Sequence, residues 1–386
     1  MSKKDYKQAT KLMHAGRHPE DYFGVVNPPI SRVSTILYKD LAAYMDPNTK
    51  FRYGRVGNPL SANFEEALAE LENGHNAVST CSGMAAITTA MFSFLKSGDH
   101  VLITDACYPP TRFFARKQLA KMGVEVQFYE PTIGAGIAEL VKDNTALIYL
   151  ESPGSATMEV QDVPAIVKVA KDKDIITMMD NTWSAGVNFK PLDHGVDVVL
   201  QSGAKYIGGH SDTNFGVIVA KTPEHYKKLK STSIDLGQCA AAEDLYLALR
   251  GLRTLEMRLK YAAENMRPVL DWFCGRDEVQ EIYCPVLESH ETHDLWKRDY
   301  TGSNGVFSVL FKPEYSFEQI AKFVDSLELI PVGSSWGGYE SLIQPQDMKA
   351  YRDDWQKDGV FLRFQIGFED PADLIADLEQ GIENLK

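Results

Sequence analysis

The sequence lacks several features that would assign it to a large class of proteins. It contains no apolar run approaching the roughly 18 residues that span a bilayer, and its basic N-terminus lacks the apolar segment of a secretory signal. Its 5 cysteines are scattered and include no CxxC pair, which argues against a disulfide framework and a thiolate zinc site. We therefore expect a soluble cytoplasmic protein without a structural metal.

Basic residues are outnumbered by acidic ones. The chain has 40 Lys and Arg against 53 Asp and Glu, which gives a formal net charge of −13. A nucleic-acid binder needs a basic face that displaces the counterions of the phosphates. The acidic balance therefore argues against nucleic acid as a partner.

Length and composition favour two domains with cores of their own. The chain has 386 residues, of which 44% are hydrophobic and 24% charged, an ordinary globular composition. Turn signals at 27–29, 46–47 and 57–59 break up the N-terminal segment. We predict an N-terminal arm over residues 1–60 that contacts a neighbouring subunit, a first domain over 61–255 and a smaller C-terminal domain over 256–386.

Short apolar runs alternate with helical patterns from residue 64 onward. Runs typical of buried strands lie at 100–105, 146–151, 175–180, 196–201 and 215–220, and later at 306–311 and 361–364. Helical spacing covers 64–74, 163–171 and a long amphipathic stretch at about 241–273. This alternation predicts an α/β fold with a mostly parallel central sheet covered by helices, followed by a smaller α/β domain.

Polar and aromatic residues collect where the predicted strands end. Tyr108, Glu151 and Asp180 follow or end three of the strands, and Lys205 follows a fourth among small residues. Open parallel sheets bind ligands outside the carboxyl ends of their strands. A desolvated lysine is a usable amine nucleophile toward a carbonyl. Taken singly, a surface lysine, an N-cap aspartate and a rim aromatic are the simpler interpretations.

Together these residues match the needs of pyridoxal phosphate. This cofactor takes a lysine for a Schiff base, here Lys205, and an acid that keeps its ring nitrogen protonated, here Asp180. Tyr108 offers a ring for stacking. The small-residue turn at 79–86 opens a helix and offers free N–H groups to a phosphate, and Ser202 adds a hydroxyl.

Other motifs carry weaker signals. The GxG at 134–136 is a weak dinucleotide-binding signal, because it lacks the third glycine and the following acid of the full fingerprint. A nucleotide-dependent oxidoreductase is the alternative from a different class of enzyme. The segment His-Glu-Thr-His at 290–293 matches no zinc motif and is expected to form a solvated loop. The sequence contains neither a P-loop nor a GxSxG elbow.

The ordered motifs resemble the Cys/Met-metabolism family of fold-type I pyridoxal-phosphate enzymes, and within it the bacterial cystathionine β-lyases. The resemblance covers roughly residues 10–385. Its landmarks are YGR at 53–55, ESPG at 151–154, DNTW at 180–183, KY at 205–206, GGHSD at 208–212, RGLRTL at 250–255 and SWGGYESL at 335–342.

The resemblance implies a role for each residue of a cofactor site in domain 61–255. Lys205 would form the Schiff base and shuttle protons, Asp180 would pair with the ring nitrogen, and Tyr108 would stack on the ring and take part in catalysis. The remaining cofactor ligands would be Gly83, Met84, Ser202 and Thr182, with Tyr53 and Arg55 reaching the phosphate of a neighbouring subunit.

The resemblance also implies the substrate end of the site and the reaction. Arg363, followed by IGFED at 366–370, would clamp the substrate α-carboxylate through a bidentate pair, and Ser335 and Trp336 would line the same end. Relatives that act at the γ-carbon usually have leucine where Trp336 stands, which favours β-elimination. The expected enzyme is a homotetramer, a dimer of dimers with shared sites, that cleaves cystathionine to homocysteine, pyruvate and ammonia in methionine biosynthesis. Cysteine desulfhydrase, γ-lyase and racemase activities are the alternatives.

Three positions depart from the pattern of the family. Ala204 replaces the usual hydroxyl residue before the lysine, which removes one hydrogen bond to the phosphate. Val56 stands where β-lyases of this type often have a second arginine, and Phe113 where they often have an acid. Unless other residues supply these charges, we expect a permissive enzyme that also accepts other S-conjugates of cysteine.

Overall fold

The structure is a computed structural model that describes residues 6–385. Residues 1–5 of the predicted arm and residue 386 of the predicted C-terminal domain lie outside the described residues. The seven strands of the larger sheet are β1 (Asn76–Thr80), β2 (His100–Thr104), β3 (Glu125–Tyr129), β4 (Thr145–Glu151), β5 (Ile176–Asp180), β6 (Val198–Ser202) and β7 (Gly216–Ala220). The four strands of the smaller sheet are β8 (Val279–Tyr283), β9 (Val306–Phe311), β10 (Leu342–Pro345) and β11 (Phe361–Gln365).

Thirteen α-helices occur within the described part of the chain. They are α1 (Gln8–His14), α2 (Leu41–Met45), α3 (Pro59–Leu71), α4 (Gly83–Phe94), α5 (Pro109–Phe114), α6 (Val163–Asp172), α7 (Pro223–Asp235), α8 (Ala242–Leu252), α9 (Leu255–Cys274), α10 (His293–Asp299), α11 (Phe317–Asp325), α12 (Met348–Tyr351) and α13 (Pro371–Ile382). Short 3-10 turns occupy Pro19–Tyr22, Ala120–Met122, Gly134–Leu140, Pro191–His194 and Glu383–Leu385, and a π-helical turn occupies Ala115–Leu119.

The larger sheet has the strand order β1-β7-β6-β5-β4-β2-β3. The neighbours from β6 to β3 pair in parallel, whereas β7 runs antiparallel to both β1 and β6. The predicted mostly parallel sheet is therefore confirmed, and five of its strands lie within two residues of their predicted positions. The sequence pattern did not predict β1 and β3, because β1 (NAVST) has only two apolar residues and β3 (EVQFY) has polar residues at two of its first three positions.

Helix ends follow local capping chemistry. The predicted helix at 64–74 begins earlier, at Pro59, because the side chains of Asn58 and Ser61 form a reciprocal capping box. The predicted amphipathic stretch at 241–273 is divided into α8 and α9, which are separated by Arg253 and Thr254. In α9 the side chain of Asn265 donates to the carbonyls of Gly367 and Glu369, which ties this helix to the smaller sheet.

The smaller sheet is antiparallel, with the order β10-β11-β9-β8. Side chains from α9, α11 and α13 form a separate buried cluster with it, which includes Phe273, Phe307, Phe323 and Phe364. The predicted smaller α/β unit is therefore present. The exact domain boundaries stay predictions.

Buried ion pairs join the two sheets. Arg352, which follows α12, donates to Asp105 Oδ2 at 2.7 Å and to Glu159 Oε1 at 2.9 Å. Arg112 pairs with the other oxygen of Asp105. The expectation of a solvated loop at 290–293 is wrong for His290 and Thr292, which are both buried. His290 Nε2 lies 3.2 Å from the carbonyl oxygen of Thr157, and Thr292 Oγ1 accepts from the backbone N–H of Val160 at 2.8 Å. These contacts hold the smaller sheet against the ends of β2 and β4.

The N-terminal segment exposes many apolar side chains. Leu12 of α1 is buried against the body of the protein, whereas α2 buries none of its residues. The exposed large apolar residues of this segment include Phe23, Val25, Val26, Ile30, Leu37, Leu41 and Met45. That the segment contacts a neighbouring subunit stays a prediction.

All five cysteines lie within the described residues and are free thiols. Across residues 6–385, none of the helices combines the length and apolar content that crossing a membrane requires.

Candidate active site

A cavity of about 230 Å³ lies at the carboxyl edge of the larger sheet. Nine of the predicted site residues line it: Gly83, Met84, Tyr108, Asp180, Thr182, Ser202, Lys205, Trp336 and Arg363. Ser335 contacts Lys205 from the same side. The structure therefore brings together ten of the twelve predicted residues, and Tyr53 and Arg55 lie elsewhere.

Lys205 lies three residues beyond β6 in a tightly packed turn. A Cβ on Gly203 would lie 1.8 Å from the ring of Phe215, so only glycine fits where the turn passes this ring. The half-buried Lys205 Nζ donates to Ser335 Oγ at 2.7 Å. Burial lowers the pKa of Lys205 to about 8, aided by the positive charge of Arg363 and opposed by Asp180. The amine is therefore largely neutral at mildly alkaline pH.

Asp180 is the last residue of β5 and is buried. Its Oδ1 accepts from the backbone N–H of Thr182 at 2.9 Å and from the Thr182 hydroxyl at 2.5 Å. Burial raises the pKa of Asp180, against these two hydrogen bonds and the charge of Lys205. Both protein hydrogen bonds use Oδ1, so a cation placed at Oδ2 would restore the ionised carboxylate.

Glu151 is a site residue to which the sequence analysis gave no role. It ends β4 directly beside Asp180 in the parallel register and lines the same cavity. Its oxygens accept from the backbone N–H of Tyr108 and the hydroxyl of Ser155, each at 2.7 Å. Burial, with the neighbouring Asp180 charge, raises the pKa of Glu151 well above its usual range. The position of Glu151 at the end of a predicted strand is the feature of the sequence that could have identified it. Asn214 also lines the cavity, and nothing in the sequence singled it out.

Tyr108 presents a partly exposed ring at the cavity mouth. It is 42% exposed and directly precedes α5, which begins with Pro109. Burial of the hydroxyl raises the pKa of Tyr108, and the negative charges of Glu151 and Asp180 act in the same direction. Glu151 accepts from the backbone N–H of Tyr108 and so fixes the backbone of this residue beside the cavity.

The start of α4 forms a cradle suited to an anion. Ser82 caps the helix by accepting from the backbone N–H of Ala85 at 3.1 Å. The N–H groups of Gly83 and Met84 are the first of the helix and have no carbonyl in a preceding turn. A Cβ on Gly83 would lie 2.7 Å from Ser202 Oγ, so glycine lets the helix end approach this hydroxyl.

Arg363 comes from β11 of the smaller sheet. It donates to the backbone carbonyl of Ser335 at 2.9 Å and also bonds the side chain of Gln344. Burial lowers the pKa of Arg363 to about 10, and the guanidinium stays charged at neutral pH. A planar fork that is desolvated and partly free suits a carboxylate.

Ser335 and Trp336 form the wall opposite the sheet. Ser335 has φ of 95°, a region that residues other than glycine rarely adopt. The loop approaches the lysine turn closely, because a Cβ on Gly337 would lie 3.1 Å from the Lys205 carbonyl carbon. The ring centroid of Trp336 is 5.8 Å from Lys205 Nζ and 5.4 Å from the ring of Tyr206. This strained loop places a hydroxyl and an indole around the amine.

Tyr53 and Arg55 lie away from the cavity of their own chain. Tyr53 is 45% exposed, and Arg55 Nη1 donates to the carbonyl oxygen of Ile234 at 2.8 Å. This position leaves their predicted role at the phosphate of a neighbouring subunit as a prediction.

The residues around the cavity fit pyridoxal phosphate. A neutral amine can take up its aldehyde, and a buried carboxylate with a free oxygen can pair with its protonated ring nitrogen. The cradle at Gly83 has N–H groups and a hydroxyl for a phosphate. Ala204 contributes no hydroxyl to this cradle, so the Ser202 hydroxyl and the helix amides are its donors.

Comparisons with known proteins agree with this donor set. A family model described as "Cys/Met metabolism PLP-dependent enzyme" matches residues 9–383. The cystathionine β-lyase MetC of Escherichia coli is 39% identical, over 99% of both chains. An L-alanine/L-glutamate racemase of Wolbachia pipientis is also 39% identical, over 98% of both chains. The crystal structure of a cystathionine γ-synthase from Xanthomonas oryzae, in complex with aminoacrylate and cysteine, superposes with a TM-score of 0.92 at 30% identity, over 98% of both chains.

The low pKa of Lys205 gives a prediction for the cofactor-stripped protein. Burial disfavours the ammonium form, so at pH 8 Lys205 should hold about a hundredfold more neutral amine than an ordinary lysine. Reductive methylation with formaldehyde, followed by peptide mass spectrometry, should give a reactivity midpoint near pH 8 for Lys205. Lys168 is the control, because the Asp172 carboxylate raises the pKa of this exposed lysine. Equal midpoints for the two lysines would refute the assignment of Lys205 as a desolvated amine.

Proposed function

Because the chain belongs to the Cys/Met metabolism PLP-dependent enzymes, we propose that it cleaves the Cβ–S bond of L-cystathionine to give homocysteine, pyruvate and ammonia. The chain is a pyridoxal-phosphate-dependent carbon–sulfur lyase, and we infer which carbon–sulfur bond it cleaves and in which substrate. The observation that carries it is the placement of Lys205, Asp180 and Arg363 around one cavity beside Trp336.

The residues of the larger sheet would hold the cofactor. The N–H groups of Gly83 and Met84 and the hydroxyl of Ser202 would bind the phosphate, and Tyr108 would stack on the ring. Asp180 would hold a proton at the ring nitrogen, with Thr182 fixing its orientation through Oδ1. When bound, pyridoxal phosphate supplies an electron-accepting ring for the electron pair left at the substrate α-carbon.

The residues around the amine would then position the substrate, and Lys205 would remove the α-proton. Arg363 would bind the substrate α-carboxylate and so fix the α-carbon beside Lys205. The neutral Lys205 Nζ would remove the α-proton, and the Cβ–S bond would break with its electron pair leaving on the sulfur as a thiolate. Ser335 Oγ, which accepts from Nζ at 2.7 Å, would hold the amine in place. Water then converts the three-carbon fragment to pyruvate and ammonia.

Trp336 favours cleavage at the β-carbon over the γ-carbon. Its indole covers the side of the cavity next to Lys205 and leaves less room for a substrate whose leaving group is one carbon further away. The γ-synthase structure has the same overall fold, so the choice between β and γ chemistry depends on side chains such as this one.

Racemisation of an amino acid is a second candidate. The similarity to an L-alanine/L-glutamate racemase favours it, and it shares removal of the α-proton by Lys205. A screen of β-thioether amino acids and L-alanine, with pyruvate and D-alanine measured separately, distinguishes the two reactions.

We also propose that the enzyme acts in the cytoplasm as a homotetramer, built from two dimers with shared active sites. Support for the shared site comes from Tyr53 and Arg55, which match phosphate ligands of the family but lie outside the cavity of their own chain. Support for a partner surface comes from the exposed apolar side chains of the same segment.

Substitution of the lysine tests the proposed function. The wild-type protein should be yellow, and Lys205→Ala should lose the visible absorption band. Pyruvate formation from cystathionine should fall by roughly 10³-fold or more, because the base that removes the α-proton is gone. Lys168→Ala, an exposed lysine on α6, is the matched control and should keep both properties. A colourless wild-type protein that binds a nicotinamide nucleotide would favour the oxidoreductase alternative.

Mixing inactive variants tests the shared site. Lys205→Ala and Arg55→Ala chains should regain activity after subunit exchange, because one site of each hybrid dimer has both residues. Random exchange gives about a quarter of the wild-type activity in a two-fold dimer. A mixture of Lys205→Ala and Asp180→Ala is the control and should stay inactive, since both residues come from the same chain. No recovery in the first mixture, with exchange verified by mass spectrometry, contradicts the shared site.

Val56 and Phe113 give a prediction on selectivity. Phe113 is 49% exposed, and neither residue can pair with the distal charges of cystathionine. Apolar contacts discriminate weakly, so kcat/KM for cystathionine and S-ethylcysteine should differ by no more than about a hundredfold. The double change Val56→Arg, Phe113→Asp should increase the preference for cystathionine, whereas Val56→Leu, Phe113→Leu should not. A wild-type preference for cystathionine by several orders of magnitude would show that other residues supply the charges.

A further inference from the structure

Glu72 is a buried carboxylate that the mechanism above does not use. It directly follows α3, is 0% exposed and is not part of the cavity lining. Its Oε1 accepts from Asn181 Nδ2 at 2.9 Å and also from Gln201 Nε2. One carboxylate oxygen therefore joins two segments that are distant in sequence.

The two amides belong to the strand ends that carry cofactor ligands. Asn181 directly follows Asp180, and Gln201 directly precedes Ser202. The parallel pairing of β5 with β6 ends at Asp180, with one further backbone bond from the N–H of Asn181. Beyond that point side chains hold the two segments together. Thr182 does so by accepting from the backbone N–H of Ser202 at 2.9 Å, and Glu72 does so by bridging the amides.

The loop after Asp180 packs directly on Glu72. Gly186 has φ of 68°, and a Cβ there would lie 3.0 Å from both Cδ and Oε1 of Glu72. Asn181 uses its other N–H on the carbonyl of Phe189 at 3.0 Å, which closes the loop over the carboxylate. The bridge therefore has little freedom to move.

The hydrogen bonds that Glu72 accepts can also be accepted by an uncharged side chain. Among the described residues, its Oε2 is buried without a hydrogen-bond partner. The charged groups that face it are Lys190, which bonds the carbonyl of Leu71, and Asp193. Burial raises the pKa of Glu72 to about 7, with Lys190 opposing and Asp193 adding to the shift. A glutamine at this position keeps an acceptor for both amides, whereas leucine removes the Glu72 acceptor from both and leaves Asn181 only its bond to Phe189.

We propose that Glu72 is a positioning residue of the cofactor site, which fixes the ends of β5 and β6 and thereby the spacing between Asp180 and Ser202. The proposal rests on the proposed function in that Asp180 binds the ring nitrogen and Ser202 the phosphate. A change in this spacing prevents one molecule of cofactor from engaging both ends of its site.

Cofactor titration of three variants tests the proposal. Each holoenzyme is stripped and then titrated with pyridoxal phosphate, with the visible absorption band as the readout. Glu72→Leu should weaken binding by about 10- to 100-fold, as for other groups that orient ligands, while Glu72→Gln should stay within about threefold of wild type. Asp377→Leu is the matched control, because Asp377 is a buried carboxylate of α13 that accepts two backbone N–H groups at 2.9 Å and does not line the cavity. It should lower Tm but leave the cofactor Kd unchanged.

The outcomes separate a positioning role from a structural one. Wild-type cofactor affinity in Glu72→Leu, or an equal loss in Asp377→Leu, overturns the proposal. If Glu72→Leu does not fold, Gln201→Met removes one of the two amide donors and should weaken binding more than threefold, and unchanged affinity there also overturns it. A wild-type protein that binds pyridoxal phosphate but makes no pyruvate refutes the proposed reaction and leaves the role of Glu72 supported by the same titration.

Discussion

Parallel hydrogen bonding between β4, β5 and β6 brings three strand ends to one edge of the sheet, and the positions of Glu151, Asp180 and Lys205 depend on this alignment. The register places Glu151 beside Asp180 and ends β5 opposite Leu200 of β6. Because the strands share a direction, the residues that follow them emerge on the same side. Lys205 then reaches the carboxylates through a turn of only three residues after β6.

Burial at this edge of the sheet shifts the pKa values of the ionisable groups that lie there. Desolvation raises the pKa values of Asp180 and Glu151 and lowers those of Lys205 and Arg363. Each shift favours the uncharged form, which suits an amine that must attack a carbonyl and accept a proton. The guanidinium remains charged and able to bind a carboxylate. In the proposed function, a protonated ring nitrogen beside Asp180 would supply a counter-charge for this buried acid.

The smaller sheet completes the site from the opposite side. Arg363 lies on β11, and the strained loop at Ser335 presses against the turn that carries Lys205. The buried pairing of Arg352 with Asp105 fixes the relation of the two sheets next to Tyr108. In the proposed function, substrate recognition would depend on the packing between the two sheets, whereas cofactor binding would depend on the register within the larger sheet.

Local sequence was enough to predict the fold class and the cofactor edge. The apolar run that ends at Asp180 and the run that precedes Lys205 are each continuous in sequence. Both the strand and the polar residue that follows it can therefore be located from a few neighbouring residues. β1 and β3 lack a long continuous apolar run and gave no comparable signal, and the burial of His290 was missed. Arg363, Ser335 and Trp336 were recognised by resemblance to a family, because nothing in their spacing from Lys205 indicates a contact.

The sequence by itself therefore determined five of the seven strands of the larger sheet, its carboxyl edge and the residue types that collect there. Only the tertiary structure decided that Ser335 bonds an amine 130 residues away, and that Glu72 bridges amides 109 and 129 residues along the chain. The physical reason is that hydrophobic periodicity fixes which face of a strand or helix is buried. The partners of a buried polar group are fixed by how those faces pack. The separation of two residues in sequence does not tell whether their side chains meet in space.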